Sequence, residues 1–143
     1  MTVIRSLTLR QPWAWSVVAA GKRTENRSRA TTYRGPIAIH AGLRVDDIAL
    51  QTFPAVVAAV RAWREEHPGQ RLVLPSGAIV GVARLASVHE ATADCCRPWG
   101  ERLIYHWVLE DVVPLPEPIP WRGTLGLRKL PADPGDQLLA LLP

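Results

Sequence analysis

Thirteen prolines are spread along this 143-residue chain, from Pro12 to Pro143. Proline lacks a backbone N–H and is disfavoured inside helices and central strands, so the distribution argues against a helical bundle. It favours short elements joined by turns. Apolar residues make up 48% of the chain and charged residues 21%, which excludes a disordered tail and allows one hydrophobic core.

Hydrophobic spacing predicts more strands than helices. The predicted strands cover residues 3–10, 22–29, 36–41, 78–88, 103–113 and 124–130. Short helices are predicted after Pro12, at Asp46-Asp47, from Pro54 to Pro68-Gly69 and over residues 133–142, and residues 114–120 are predicted to be a proline-rich connection. Because the elements do not alternate as repeated βαβ units, we expect an α+β fold around a small barrel.

The charge is distributed unevenly along the chain. The formal net charge is +4, but residues 1–44 contain eight Lys/Arg and a single acid, Glu25, for a net charge of +7. Residues 45–143 contain nine Lys/Arg and twelve acids, for a net charge of −3. This pattern favours one basic face of the kind that binds polyanions. The alternative is an ordinary solvated surface, since halves of a sequence need not be halves of a structure.

Several classes of protein are not expected. No apolar run approaches the roughly 18 residues that span a bilayer, and the first residues lack the apolar core of a signal peptide, so we expect a cytoplasmic protein without membrane contact. A disulfide between the adjacent Cys95 and Cys96 would be strained, and these two thiols cannot complete a four-ligand zinc site alone. The four histidines show no ligand spacing, and the common nucleotide-binding and hydrolase motifs are absent. We therefore expect no metal and no cofactor.

The densest polar cluster is the segment Gly21–Arg27. On an extended chain Arg23, Glu25 and Arg27 share one face. Cations on both sides of Glu25 should keep it ionised and orient it by charge-assisted hydrogen bonds. The alternative is a surface ladder of ion pairs that contributes little to stability.

Other candidate ligand-binding residues stand outside this cluster. Gln11 and Trp13 lie at a strand-to-helix junction, where a tryptophan is more often part of the core. Tyr33 and Arg34 lie in a polar turn, from which they could stack on a nucleotide and bind it. Trp99 follows Arg97 in an irregular stretch and could stack on an unpaired base, although a loop without special chemistry explains it equally well.

Four motifs together resemble the ASCH (activating signal cointegrator homology) domain family. They are Ser6–Ala14 with its Gln-Pro-Trp-Ala, Gly21–Arg27 with its Lys-x-x-Glu-x-Arg, Tyr33–Gly35, and Pro75–Gly81. Their order and spacing match over about residues 4–130. The first two motifs are specific in combination, whereas either alone is weak.

The resemblance implies a small PUA-like β-barrel with flanking helices and a cleft across one face. It implies one ASCH domain over residues 1–143, with a core at about 4–130 and a C-terminal helical extension at 131–143. It also implies a role in RNA metabolism or coactivation, with Lys22, Glu25 and Arg27 lining the cleft.

Some relatives are hydrolases of N4-acetylcytidine, and nuclease activity occurs in the family. In the small amidohydrolase branch the motif reads Lys-x-x-Thr-x-Arg, with a catalytic Glu on the central strand. Here Glu25 occupies the threonine position, and the central strand offers Gly81 with no carboxylate nearby. The chain is closer to the coactivator-type branch.

Three functions follow as hypotheses. The first is a module that binds single-stranded RNA or a nucleotide, or a nucleoside, through Lys22, Glu25, Arg27, Gln11, Trp13, Tyr33, Arg34 and Trp99. The second is a hydrolase of RNA or of a modified nucleoside, with Glu25 as general base and Lys22 stabilising negative charge. The third is a protein-interaction module that uses residues 114–120 and the acidic carboxy-terminal half. Base preference, oligomeric state, protein partners and catalysis stay open.

Overall fold

The computed structural model describes residues 2–143. These residues form six strands and four helices. The elements are β1 (Arg5–Gln11), α1 (Trp13–Ala19), β2 (Thr24–Arg27), β3 (Gly35–Val45), α2 (Asp47–Thr52), α3 (Pro54–Glu66), β4 (Ala78–Glu90), β5 (Tyr105–Pro120), β6 (Arg128–Lys129) and α4 (Ala132–Leu139). The prediction of an α+β fold is confirmed.

All six strands belong to one sheet with the order β2-β5-β4-β3-β1-β6. The strands β1 and β3 are parallel, and every other neighbouring pair is antiparallel. A parallel pair needs a crossover connection, which here contains α1 and β2. The crossover therefore leaves β1 near one edge of the sheet and places β2 at the opposite edge.

Both faces of the sheet are covered. On one face α1 buries Ala14 and Val17 against Leu7 and Ile39. On the other face α4 buries Leu138 in a second apolar cluster with Ile4, Ala38, Ile79, Val82 and Leu130. Burial on both faces explains why β4 reads as a continuous apolar run rather than as an alternating one.

The helices begin where their sequence signals predict. The Asp46 carboxylate accepts a hydrogen bond from the Ala49 amide at 3.0 Å and so caps α2, and Pro54 is the first residue of α3. None of the helices formed by residues 2–143 is long and apolar enough to cross a membrane.

Two boundary predictions are wrong. Residues 114–120 were predicted to be a connection, but they continue β5 as far as Pro120. The neighbouring strand β2 pairs with β5 only over Tyr105–Val108, so the proline-containing half of β5 is an edge where missing amide donors are tolerated. The last strand is only Arg128–Lys129 rather than residues 124–130.

The expected barrel is not closed. Within residues 2–143 the end strands β2 and β6 pair only with β5 and β1, respectively, and not with each other. They have four and two residues, which is too short to complete a ladder. Nevertheless the two edges approach, because one cavity is lined from both sides, by Arg27 at the end of β2 and by Leu127 just before β6. We call this gap between the two sheet edges the seam.

Helix α1 lies very close to the sheet at Gly81. A Cβ atom added to this residue would lie 2.5 Å from Cγ1 of Val18 and 3.0 Å from the backbone oxygen of Val113. We expect Gly81→Ala to lower the free energy of unfolding by about 1–3 kcal/mol, because the helix or β5 must move to make room. Urea denaturation measures this change.

Gly135→Ala is the matched control, since its added carbon would come no closer than 3.5 Å to Ile4 and Leu130. It should leave the stability unchanged or raise it by up to ~1 kcal/mol, because alanine favours a helix over glycine. Equal effects of the two substitutions would contradict the close packing of α1 on β4.

Candidate nucleic-acid interface

The Lys-x-x-Glu-x-Arg motif forms a buried ion pair. Gly21, with a φ of +74°, ends the turn after α1, and the Lys22 amide donates to the Ser16 carbonyl at 3.0 Å. This turn directs the Lys22 side chain inward, where its Nζ donates to Oε1 of Glu25 at 2.6 Å. Lys22 is 1% exposed and Glu25 is 7% exposed. A pair removed from water in this way is stable only when both charges are satisfied.

Arg27 extends the ion pair to the surface. Its Nη1 lies 3.6 Å from Oε2 of Glu25, and its guanidinium lies over the Trp107 ring at 5.3 Å from the centroid. Lys22 also approaches the Trp13 ring, at 5.5 Å. Lys22 therefore holds the Glu25 carboxylate in place, and this carboxylate in turn positions Arg27 at the seam.

Three adjoining cavities form a groove that passes through the seam. Their volumes are about 460, 280 and 610 Å³, within the range of ligand pockets. The first and second share Arg27 and Gly126, and the second and third share Thr8, Arg44 and Leu125. The groove is thus continuous from Trp107 at one end to Trp121 at the other.

Six arginines and no acidic residue line this groove, which we call the arginine groove. Its arginines come from β1, β2, β3 and the segments that follow β2 and β5. They are Arg5, Arg10, Arg27, Arg29, Arg44 and Arg122.

Four of these arginines, Arg10, Arg29, Arg44 and Arg122, are exposed. Among residues 2–143 none of the four has a carboxylate within 4.0 Å. By contrast, three arginines elsewhere pair with acids, namely Arg84 with Asp111, and Arg97 and Arg102 with Asp94. Positive charge is therefore left uncompensated along the groove.

Three of the residues singled out in the sequence make internal contacts. The Gln11 side chain donates to the Pro75 carbonyl and accepts from the Trp15 amide, both at 2.9 Å. Trp13 and Trp99 both pack on Phe53, the first edge to face at 5.0 Å and the second stacked at 6.2 Å. None of the three lines the arginine groove, and neither do Lys22 and Glu25.

Tyr33 and Arg34 also make internal contacts and do not line the arginine groove. The Tyr33 hydroxyl donates to the Pro36 carbonyl at 2.7 Å, and Arg5 covers its ring at 4.5 Å. Burial raises the pKa of Tyr33, an effect that Arg5 partly opposes, so the phenol stays a hydrogen-bond donor at neutral pH. Arg34 donates to the carbonyls of Thr31 and Tyr33, both at 2.8 Å, and holds the turn.

Of the eight residues predicted to bind nucleic acid, only Arg27 lines the arginine groove. The groove instead uses arginines that were not candidates in the sequence. Arg5, Arg29 and Arg44 counted only toward the basic first 44 residues, and Arg10 lies inside the Ser6–Ala14 motif.

Trp121 and Arg122 line the far end of the groove. Beside them His40 is buried, with Nε2 at 2.7 Å from the Trp121 carbonyl oxygen and Nδ1 at 3.1 Å from the Thr8 hydroxyl.

A second cluster of chemical groups lies outside the groove. His89, Cys95, Cys96 and His106 place one potential ligand atom each within 4.8 Å of one another. The histidines showed no ligand spacing along the sequence, because their proximity arises from the pairing of β4 with β5. The signal that could have found them is a Cys-Cys pair between two strands that each carry a histidine.

The ASCH domain profile matches residues 7–114, which is more than half of the chain. The chain belongs to the ASCH domain family. Among solved structures, this ASCH domain is similar to a point mutant of an ASCH protein from Zymomonas mobilis, with a TM-score of 0.54 and 14% sequence identity. The similarity covers 99% of this chain and 100% of that chain, and at this identity it shows a shared fold. No curated protein sequence matches the chain.

The buried ion pair of this ASCH domain leads to a stability prediction. We expect Lys22→Met to lower the free energy of unfolding by about 3–5 kcal/mol, because it leaves the Glu25 carboxylate buried with only the more distant Arg27. Urea denaturation followed by circular dichroism measures the loss.

The double variant Lys22→Met/Glu25→Gln removes both charges and should recover much of that loss. Equal stability of wild type and Lys22→Met would contradict the buried pair. So would a double variant whose loss equals the sum of the two single losses.

Proposed function

We propose that this ASCH domain binds single-stranded RNA in the arginine groove. The observation that carries the proposal is a continuous groove with six arginines and no acidic residue in its lining. Phosphates supply most of the affinity of nucleic-acid complexes, and arginine binds phosphate through two parallel hydrogen bonds. Family membership supports a role of this general kind.

The separation of the cationic side chains favours a polymer over a small anion. Four separate segments of the chain contribute them, with Arg29 at one end, Arg10 and Arg44 in the middle and Arg122 at the other end. A single phosphate could engage only part of this row. A strand that follows the groove would place successive phosphates along it.

The groove also offers apolar surface for bases. Leu43 is 82% exposed and Leu125 is 99% exposed, and both line the middle and far cavities. Trp121 lies half-buried at the far end, whereas Trp107 at the near end is 5% exposed beneath Arg27 and adds little accessible surface. Unpaired bases can be splayed into cavities of this size, whereas the bases of a duplex stay stacked inside their helix.

In this proposal Lys22 and Glu25 are positioning residues and Arg27 contacts RNA. Lys22 is too deeply buried to meet a phosphate without rearrangement. The loss of binding in a Lys22 variant would therefore report on the fold as well as on the groove. Exposed arginines give a cleaner test.

Hydrolysis of RNA or of a modified nucleoside is the second candidate function. It would use Glu25 as general base, but one oxygen of this carboxylate is 2.6 Å from Lys22 and the other is 3.6 Å from Arg27. The central strand β4 carries no carboxylate before Glu90. These contacts favour binding over catalysis, and RNA turnover that disappears in Glu25→Gln would reverse that preference.

The binding test uses fluorescence anisotropy with a labelled single-stranded RNA at two salt concentrations. We expect Arg10→Gln/Arg44→Gln to weaken binding roughly tenfold or more at low salt, and to reduce the magnitude of the slope of log K against log [salt] by about 1.4. The reason is the loss of two phosphate contacts and of the counterions that they release.

Arg61→Gln/Arg64→Gln is the matched control. Both residues are exposed on α3, in a separate cavity that also contains Glu65, and the double variant removes the same net charge. Its affinity should stay within about threefold of wild type, which corresponds to a small long-range electrostatic effect. Equal weakening by the two double variants, or binding that does not depend on salt, would contradict the proposal.

A further inference from the structure

The β4–β5 hairpin brings two histidines together at its connected end. His89 near the end of β4 is paired with His106 near the start of β5 in the antiparallel ladder. Their rings meet edge to face with centroids 5.2 Å apart. The connecting segment, residues 91–104, folds back so that Cys95 and Cys96 reach the same point.

Three of the six distances between the ligand atoms are close to those of a tetrahedral metal site, and all four atoms lie within 4.8 Å of one another. Cys95 Sγ lies 3.4 Å from Nδ1 of His106 and 3.8 Å from Nε2 of His89, and Cys96 Sγ lies 3.4 Å from the same Nε2. With Zn–S bonds of about 2.3 Å and Zn–N bonds of about 2.0–2.1 Å, tetrahedral angles require sulfur–nitrogen separations of ~3.6 Å. The four side chains therefore surround a space that one ion would fill.

The surroundings of His106 select the nitrogen that can bind a metal. Its Nε2 lies 2.6 Å from the Glu101 carbonyl oxygen, which can only accept, so Nε2 carries the hydrogen. Nδ1 is then left with a free lone pair directed toward Cys95. A histidine ligand held by a hydrogen bond from its other ring nitrogen is the usual arrangement in protein metal sites.

The backbone conformation at Cys96 directs both thiols to the same side. Cys96 has a φ of +63°, a left-handed conformation that is unfavourable for a residue with a side chain. Adjacent side chains on an extended backbone would point in opposite directions, so this turn is what lets the two sulfurs face the same histidine. The Thr92 amide donates to the Cys95 sulfur at 3.4 Å and helps to hold it in place.

We propose that His89, Cys95, Cys96 and His106 form a structural Zn²⁺ site. Two thiolates and two imidazoles are a ligand set typical of structural zinc, and four protein ligands leave no open position for substrate. The vicinal cysteines serve as metal ligands in this assignment rather than as a redox pair.

The ion would fix the segment between the two strands against the rest of the molecule. Within this segment Trp99 stacks on Phe53 beside α3. The Asn26 side chain of β2 donates to the Trp99 carbonyl and accepts from the Glu101 amide, both at 2.9 Å. The zinc site therefore braces β2, which carries Glu25 and Arg27 of the Lys-x-x-Glu-x-Arg motif.

The test starts with the full chain purified under reducing conditions. We expect one zinc per chain by elemental analysis, and chelation should lower the Tm by roughly 5–10 °C. Replacing the metal by Co²⁺ should give the intense visible absorption of a tetrahedral site together with a thiolate-to-metal charge-transfer band. The absorption spectrum identifies the ligands without depending on any function of the protein.

Zinc affinity should fall at least tenfold in each of the variants Cys95→Ser/Cys96→Ser and His106→Gln, and both should lose the cobalt spectrum. His67→Gln is the matched control, since His67 lies at the end of α3 outside the cluster and should keep one zinc. Wild-type protein with native circular dichroism that takes up neither zinc nor cobalt would overturn the assignment. Zinc bound equally by the ligand variants would also overturn it.

Discussion

The ion pair between Lys22 and Glu25 links the core of this ASCH domain to its surface. It is buried at the turn from α1 into β2, where it joins the helix that covers one face of the sheet to the strand at its edge. Burial of two charges is costly, and here the cost is offset by a short hydrogen bond and by the nearby Arg27. The position of Arg27 over Trp107 depends on this arrangement.

The groove exists because the sheet does not close. A complete barrel would pair β2 with β6 and fill the space between them, but the edges are short and are lined by Arg5, Arg27 and Arg29. Because the seam stays open, these three arginines line one common cavity. The open seam, which prevents the sheet from closing into a barrel, therefore also concentrates positive charge in a groove.

Much of the fold could be predicted from local patterns. The apolar run of β4, the Asp46 cap and the proline at the start of α3 each have a local physical cause. The strand through Pro114–Pro120 was missed. Proline is tolerated there only because β2 ends early, so that this half of β5 is an edge of the sheet. That condition depends on the neighbouring strand rather than on the residues themselves.

The residues of the arginine groove and of the proposed zinc site were predicted less well, for the same reason. The motif residues were identified from the sequence, but their burial was not. A lysine and a glutamate three residues apart give the same sequence pattern whether they lie on the surface or in the core. The arginines of the groove come from separate strands, and the ligands of the proposed zinc site meet through the register of one hairpin. Neither grouping has a fixed spacing in the sequence.

The groove has a thermodynamic consequence because its lining extends from Arg5 in β1 to Leu127 near β6. The full row of cations exists only after both ends of the chain have joined the sheet, so the unfolded chain cannot present it. A ligand that occupies the groove must therefore shift the folding equilibrium toward the native state by mass action. By the same linkage, a variant with a damaged core loses apparent affinity in proportion to its unfolded fraction, even with every arginine intact.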